Sequence, residues 1–365
     1  MRAAKPLGPV TTRSKHPPAD INQQAEELAA AINGSNVRPE MVRTIDDFVD
    51  TVYLPMAEKE KRPSTYADYS DIWNIHLKPR CVQFWLKDVE TYHLQRWLDD
   101  ISKCNPQLSR NRLRHIKSLL SGIFSQAIRL GYRANRANPA RDTRITAGVA
   151  SQETHAYTLD EIQSMLGVLP EPAATMIAVA AFTGLRRGEI TGLLWENFQA
   201  GEIRVTRSIW EGIATDPKTR TSRGAVPVIR PLQQRLEMHR LRVATRNQAR
   251  CFRGTPISPN NVLTRSIKSV LSRCGVCQQA KEGHNPNDGH EYTRDAPLPQ
   301  WHGWQVFRRG LASNLYALGV PDVVIQNILR HANLSTTMTY YVITTPEATH
   351  AAMAKLESVV PATIQ

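Results

Sequence analysis

TGLRRGEITGLLW, residues Thr183–Trp195, is the stretch on which the reading of this chain turns. It follows Ala173–Phe182, a run of small and apolar residues that reads as a helix. It then presents a glycine, two arginines and a carboxylate. Glu189 stands three residues after Arg186, one helical turn away, where it either orients that guanidinium or is a solvated carboxylate. Upstream, YTLDEIQSML opens a domain, with Thr158 and Glu161 forming a T-x-x-E capping box at a helix start. Downstream, GEIRVTRSIW alternates like a strand, and Gly224–Ile229 (GAVPVI) is a second short one, which makes Gly212–Arg223 a hairpin loop. Helices are expected near Leu232–Gln248, Val306–Leu318, Pro321–His331 and Ser335–Val342, and residues 275–300 read as polar and irregular.

The region before this domain is helical. Ser64 can cap a helix running to about Ile75. In DVETYHLQRWLDDIS, Val89, Leu94, Trp97, Leu98 and Ile101 share a face. A longer helix carries Leu113, Ile116, Leu119, Leu120, Ile123, Phe124, Ala127 and Ile128 at helical spacing, with Gly131 as its C-cap. Arg110, Arg112, Arg114 and Lys117 crowd its first turns, either as a solvated face or as phosphate contacts. Residues 134–156 have little periodicity and read as an interdomain linker. Residues 1–40 look weakly ordered apart from a short helical stretch around Ala25–Ile32.

Composition narrows the partner. The chain has 365 residues, enough for two or three domains. Its 46 Lys and Arg against 33 Asp and Glu leave a net charge of +13. Such an excess favours a polyanion, and nucleic acid is the common one. A membrane is disfavoured: the longest apolar run, near Ala173–Phe182, is about half of the ~20 residues that a span needs. The N-terminus has no apolar signal-peptide core, and five cysteines are too sparse for a disulfide framework, which points to a reducing cytoplasm.

Three further segments join the first. They are DPKTRTSRGAVPV (Asp216–Val228), FRRGLASNL (Phe307–Leu315) and LRHANLSTTMTYY (Leu329–Tyr341). In this order and spacing the four resemble the catalytic domain of tyrosine recombinases of the phage-integrase type, over about Thr158 to Tyr341. Residues 41–145 resemble that family's core-DNA-binding domain more loosely. The fold class expected is therefore mainly α with a small β-sheet: a helical core-DNA-binding domain plus an α+β catalytic domain. The expected layout is an N-terminal segment 1–40, a core-binding domain 41–145, a linker 146–156, a catalytic domain 157–345 with an insertion at 274–292, and a tail helix 346–365. Many integrases carry an arm-binding domain at the N-terminus. Residues 1–40 lack its three-strand pattern, so at most a remnant is expected there.

The resemblance implies a reaction and assigns residues to it. A tyrosine attacks a DNA phosphodiester, leaving a 3′-phosphotyrosine and a free 5′-hydroxyl, with neither ATP nor a catalytic metal. Tyr340, nine residues after His331, matches the nucleophile, and adjacent Tyr341 is the alternative. Arg186 and Arg308 match the phosphate-holding arginines, with Arg187 and Arg309 as their neighbours. Guanidinium forks suit the charge that builds on non-bridging oxygens. Lys218 falls at the position of the general acid and is the only lysine between Lys117 and Lys268. His331 matches a phosphate-bonding histidine, although many members have Gly where this chain has Arg330. The main departure is Gln305, where the family usually has His; an amide donates a hydrogen bond but is neither acid nor base. That departure keeps a catalytically weakened DNA-binding protein open as an alternative, beside a topoisomerase-IB-like activity.

Partners follow in the same way. Double-stranded DNA is expected, bound by a homo-tetramer on two duplexes, and accessory DNA-bending proteins are further candidates. The tail either packs on a neighbouring protomer or folds back on its own core. The site of action expected is the cytoplasm, at the nucleoid of a bacterium or prophage host. Separately, Cys274, Cys277, His284 and His290 are spaced C-x2-C-x6-H-x5-H and resemble the ligands of a structural zinc. The other reading is an exposed loop with incidental thiols.

Overall fold

Apolar residues at helical spacing build the first part of the molecule, and the computed structural model shows where their faces go. It describes residues 19–33, 42–133, 137–146, 148–149, 154–216, 223–243, 251–252, 259–285 and 289–330. The chain divides into two compact units, Met1–Gln152 and Glu153–Gln365. Among the described residues, no helix is long and apolar enough to cross a membrane.

The first unit is helical. Helix α1 (Ala19–Asn33) is longer than the short stretch expected. Helix α2 (Ile45–Phe48) passes through a π turn (Val49–Tyr53) into α3 (Leu54–Glu60), and α4 (Pro63–Ile72) passes through another (Trp73–Leu77) into α5 (Lys78–Cys81). The expected end near Ile75 is thus a wider turn inside a continuing helix. The two π turns are tied together: Asp50 accepts from Trp73 Nε1 and from Lys78 Nζ, both at 2.7 Å. Helices α6 (Thr91–Cys104) and α7 (Arg110–Arg129) bury the predicted faces, including Leu94, Leu98, Ile101, Ile116, Leu120 and Phe124, in one core with Phe48, Trp73 and Leu77.

The division at Gln152–Glu153 falls within the expected linker 146–156, and the stretch before it is docked. Residues 137–146 and 148–149 are fastened to the helical unit instead of spanning open solvent. Asn138 Nδ2 donates to Ser121 O and Ser125 Oγ, each at 2.8 Å. Gln95 bonds Arg144 through both its amide atoms, and Val149 pairs with Ser109. Polar side chains bonding to backbone carry this docking, so hydrophobic periodicity does not report it.

In the second unit, α8 (Leu159–Val168) opens with the predicted Thr158–Glu161 capping box. Helix α9 (Ala173–Thr183) is apolar on all sides because it is surrounded, with α8, α11 (Arg230–Val243) and α14 (Trp304–Ala317) packed against it. Short α10 (Arg187–Thr191) precedes the strands β1 (Phe198–Gln199), β2 (Glu202–Arg204), β3 (Ser208–Trp210), β4 (Ile213–Thr215) and β5 (Ala225–Pro227). These form an antiparallel sheet β1-β2-β5 and a separate β3–β4 hairpin. The single expected strand over 201–210 is therefore two strands in two sheets. The expected loop Gly212–Arg223 contains β4, and the tight turn falls at Glu211–Gly212, with φ of 45° and 84°. A helical stretch that sequence periodicity did not reveal runs from α12 (Pro259–Val262) through a π turn (Leu263–Lys268) to α13 (Ser269–Leu271). Helix α15 (Asp322–Leu329) closes the described chain against α14. The expected helix Ser335–Val342 and the tail helix 346–365 lie outside the described residues.

Candidate active site

The site grows from the end of α9. That helix stops at Gly184 in the left-handed conformation, φ 63°. A Cβ at Gly184 would lie 2.8 Å from the Leu329 side chain, and the left-handed backbone itself disfavours any other residue there, so this helix end and the end of α15 meet closely. Arg308, on α14, locks the meeting point. It is 1% exposed, and its Nη1 donates to Gly184 O at 2.6 Å while Nη2 donates to Leu329 O. A guanidinium thus grips the carbonyl ends of two helices, where the dipoles are negative.

Two residues beyond Gly184, Arg186 caps α10. Its backbone N–H donates to Glu189 Oε2 at 3.0 Å and its Nη1 to Glu189 Oε1 at 2.8 Å. Glu189 is 3% exposed, which settles the choice left open by the sequence: the carboxylate orients Arg186 and is not solvated. Its second oxygen is held from the far end of the domain, by Arg330 Nη2 at 2.9 Å. Burial opposes the charge on Glu189, but the Arg330 and Arg186 guanidiniums outweigh it and hold the carboxyl below its ordinary value. Burial also pulls Arg330 downward, with Glu189 opposing, yet a guanidinium remains a cation across the working pH range.

Arg330 is the site residue whose role the sequence did not reveal. It caps α15 with φ 56°, a conformation that suits glycine. The only signal was indirect: a family that favours Gly at this position is reporting a left-handed backbone. Here an arginine accepts that backbone, and its side chain is buried against Glu189.

Two arginines on one carboxylate leave a net positive charge. Arg186 is the member that reaches solvent, with its side chain 32% exposed. Gln305 lies in the first turn of α14, half-buried and one turn before Arg308. Lys218, His331 and Tyr340 lie outside the described residues. In sequence, His331 follows Arg330 directly, and the stretch holding Lys218 is flanked by Asp216 and Arg223, which pair at 2.8 Å.

Of the four basic residues singled out on α7, two reach across to other elements and a third, Arg114, donates to Asn111 Oδ1 on its own helix. Arg112 pairs with Asp68, and Lys117 donates to Thr143 O. Arg110 and Arg114 are exposed. Elsewhere in the second unit, Cys274, Cys277, His284 and His290 come together with all four donor atoms within 4.8 Å of one another.

The chain is thus a helical unit followed by an α+β unit in which guanidiniums cluster. Comparison with known proteins agrees. Residues 156–346 match the phage integrase family. A XerC-like tyrosine recombinase from Caldanaerobacter subterraneus subsp. tengcongensis is 23% identical over 362 residues, covering 89% of this chain and 85% of its own. The ICEBs1 integrase of Bacillus subtilis is 25% identical over 198 residues, about half of each chain (51% and 52%). The fold matches a Tn1549 transposon integrase in complex with transposon right end DNA, at TM-score 0.64 and 17% identity, over 86% of this chain and 100% of that one. It also matches a lambda integrase dimer bound to a core site, at TM-score 0.57 and 17% identity, over 88% of this chain and 85% of that one. The chain belongs to the phage integrase family, the tyrosine recombinases, enzymes that break and rejoin DNA.

Proposed function

We propose that this chain is the site-specific integrase of a mobile element, joining and excising DNA through a covalent bond to Tyr340. The observation that carries this reading is the convergence of Arg186 and Arg308 at the two helix ends, with the second of those ends leading directly into the His331–Tyr340 segment. Arg186 and Arg308 hold the non-bridging oxygens of the attacked phosphate and stabilise the five-coordinate state. His331 and the Gln305 amide add hydrogen bonds to the same oxygens. Tyr340 attacks phosphorus, the bond to the 5′-oxygen breaks, and Lys218 protonates that oxygen as it leaves. The 5′-hydroxyl of a partner strand then attacks the phosphotyrosine and frees the phenol. The phosphotyrosine conserves the bond energy, so the cycle uses no ATP and no catalytic metal.

The working assembly in this reading is a homo-tetramer on two DNA duplexes in the cytoplasm. The support is likeness of fold to lambda integrase, of which a tetramer bound to a Holliday junction is known at TM-score 0.57 and 18% identity. Accessory DNA-bending proteins would assist it. The test is a duplex carrying the element's own end sequence, nicked beside the cleavage point so that the cut strand diffuses away. Wild-type protein accumulates as a covalent adduct, and Tyr340→Phe gives none. Adduct formation undiminished in Tyr340→Phe would overturn the assignment and transfer it to Tyr341. Gln305 motivates one competing reading, a protein of this fold that binds DNA without cutting, and specific binding with no wild-type adduct would establish it. Relaxation of plasmids lacking the element's ends would instead indicate a topoisomerase-like activity.

A further inference from the structure

The strand-exchange chemistry leaves one cluster unused: two thiols and two imidazoles between α13 and α14. The geometry points to a structural zinc site formed by Cys274, Cys277, His284 and His290, a closed tetrahedral Cys2His2 centre that clips the segment leading into α14. The four donor atoms lie within 4.8 Å of one another. His290 Nε2 is 3.3 Å from Cys274 Sγ and 3.1 Å from His284 Nε2. A tetrahedral zinc with ordinary bond lengths sets a sulfur–nitrogen edge of about 3.6 Å and a nitrogen–nitrogen edge of about 3.3 Å. These two spacings are close to those edges, within a set whose widest separation reaches up to 4.8 Å.

Hydrogen bonding alone explains this arrangement poorly. Two imidazoles meet through the same atom, Nε2, so one of the pair has to carry the proton. His290 Nε2 also faces the Cys274 sulfur, so it stands against two partners at once. A cation at the common point takes the lone pair of each donor and removes the conflict. Two thiolates balance the charge of a divalent ion, and a mixed thiolate–imidazole set suits zinc over the hard cations. Four protein donors leave no open position, so the ion's role is to hold structure.

The surrounding backbone is already set to present these donors. The Val276 N–H points at Cys274 Sγ at 3.4 Å, and Gln278 turns the chain with φ 62°. Cys274 N–H donates to Gln279 O at 2.7 Å, and Gly275 N–H to Thr293 O at 2.8 Å. Arg273 pairs with Asp295 at 2.9 Å, and Tyr292 Oη donates to Ser272 O at 2.9 Å. The His284 ring meets those of His290 and Tyr292 edge-on. Both sides of the clip are thus anchored, one at the end of α13 and the other on the strand-like segment 292–295 that leads to Gln305 and Arg308. Metal binding stabilises the folded form of this stretch because the unfolded chain has no assembled site.

The test uses the full-length protein and no DNA. Elemental analysis of purified wild type should give one zinc per chain. Replacement by cobalt(II) should give the visible bands of a tetrahedral ion with thiolate-to-metal charge transfer. Cys277→Ser and His284→Ala should each lose the metal, while Cys104→Ser, in the other unit, should keep it. Wild type with well below one metal per chain overturns the proposal, as does a cobalt spectrum without thiolate bands. Zinc retained at one per chain in both Cys277→Ser and His284→Ala also overturns it. Where a variant does not fold, the wild-type metal content and cobalt spectrum decide. A Cys274–Cys277 disulfide in reduced-buffer preparations would count against it as well.

Discussion

At the scale of single residues, the Arg186–Glu189–Arg330 cluster is the part of the site that the structure adds. Glu189 and Arg330 side chains are each 3% exposed, so neither charge is screened by water. Removing Arg330 leaves the buried Glu189 carboxylate with Arg186 as its one remaining cation, at a cost toward the low end for such pairs, about 3 kcal/mol. Arg330→Met, which keeps bulk, is expected to lose about that much in urea unfolding of the full chain. In the double variant with Glu189→Gln, most of the loss should return. Equal, additive losses would show that the two side chains do not depend on each other. The depressed carboxyl of Glu189 also sets a pH signature. A group whose folded pKa lies below its unfolded value stabilises above that unfolded value and loses the benefit as pH falls through the folded one. The stability gap between wild type and Glu189→Gln should therefore be constant from neutral pH down to the ordinary carboxylate range and shrink below it. A gap that widens on acidification would contradict the pairing.

At the scale of elements, α14 carries Gln305 and Arg308, and its seating is set by the absence of one methyl group. A Cβ at Gly310 would lie 2.5 Å from the Tyr157 carbonyl oxygen. Tyr157 is itself fully buried, with its hydroxyl donating to Gln300 O and accepting from His302 N–H, both at 2.8 Å. Glycine to alanine inside a helix ordinarily stabilises by about 0.5–1 kcal/mol. Here the backbone clash reverses the sign, and Gly310→Ala is expected to destabilise by about 1–3 kcal/mol. Because α14 must shift, covalent adduct formation should fall as well, and a gain in thermal stability with full activity would refute this seating. The elements also show what was legible in the chain. The Thr158–Glu161 box, the α6 and α7 faces and the all-apolar α9 depend on neighbours a few residues apart, and sequence spacing reports them directly. The β3–β4 hairpin and the π turns are local too but break the regular strand and helix periods, and the docking of residues 137–146 depends on partners further away, so spacing misreads them.

At the scale of the whole molecule, the +13 charge marks a protein built to meet a polyanion, and the first unit offers a way to separate its contacts. Exposed Arg110 and Arg114 are expected to contact phosphate, so removing either should lower the salt slope of DNA binding by about one. Arg112 and Lys117 already hold Asp68 and the Thr143 carbonyl, so their removal should mainly loosen the helical unit. Filter-binding titrations across salt concentrations, beside melting curves, check both outcomes. By itself the sequence determined the fold class and the order of the four segments, and its resemblance to the tyrosine recombinases implied Arg186 and Arg308 as their cations. Only the tertiary structure decided that Glu189 is buried, that Arg308 clamps two helix ends and that Arg330 completes the cluster from 141 residues away. Such pairings are created when distant stretches close on one another, and a buried charge selects its partner from what the closure brings within reach, not from its neighbours along the chain.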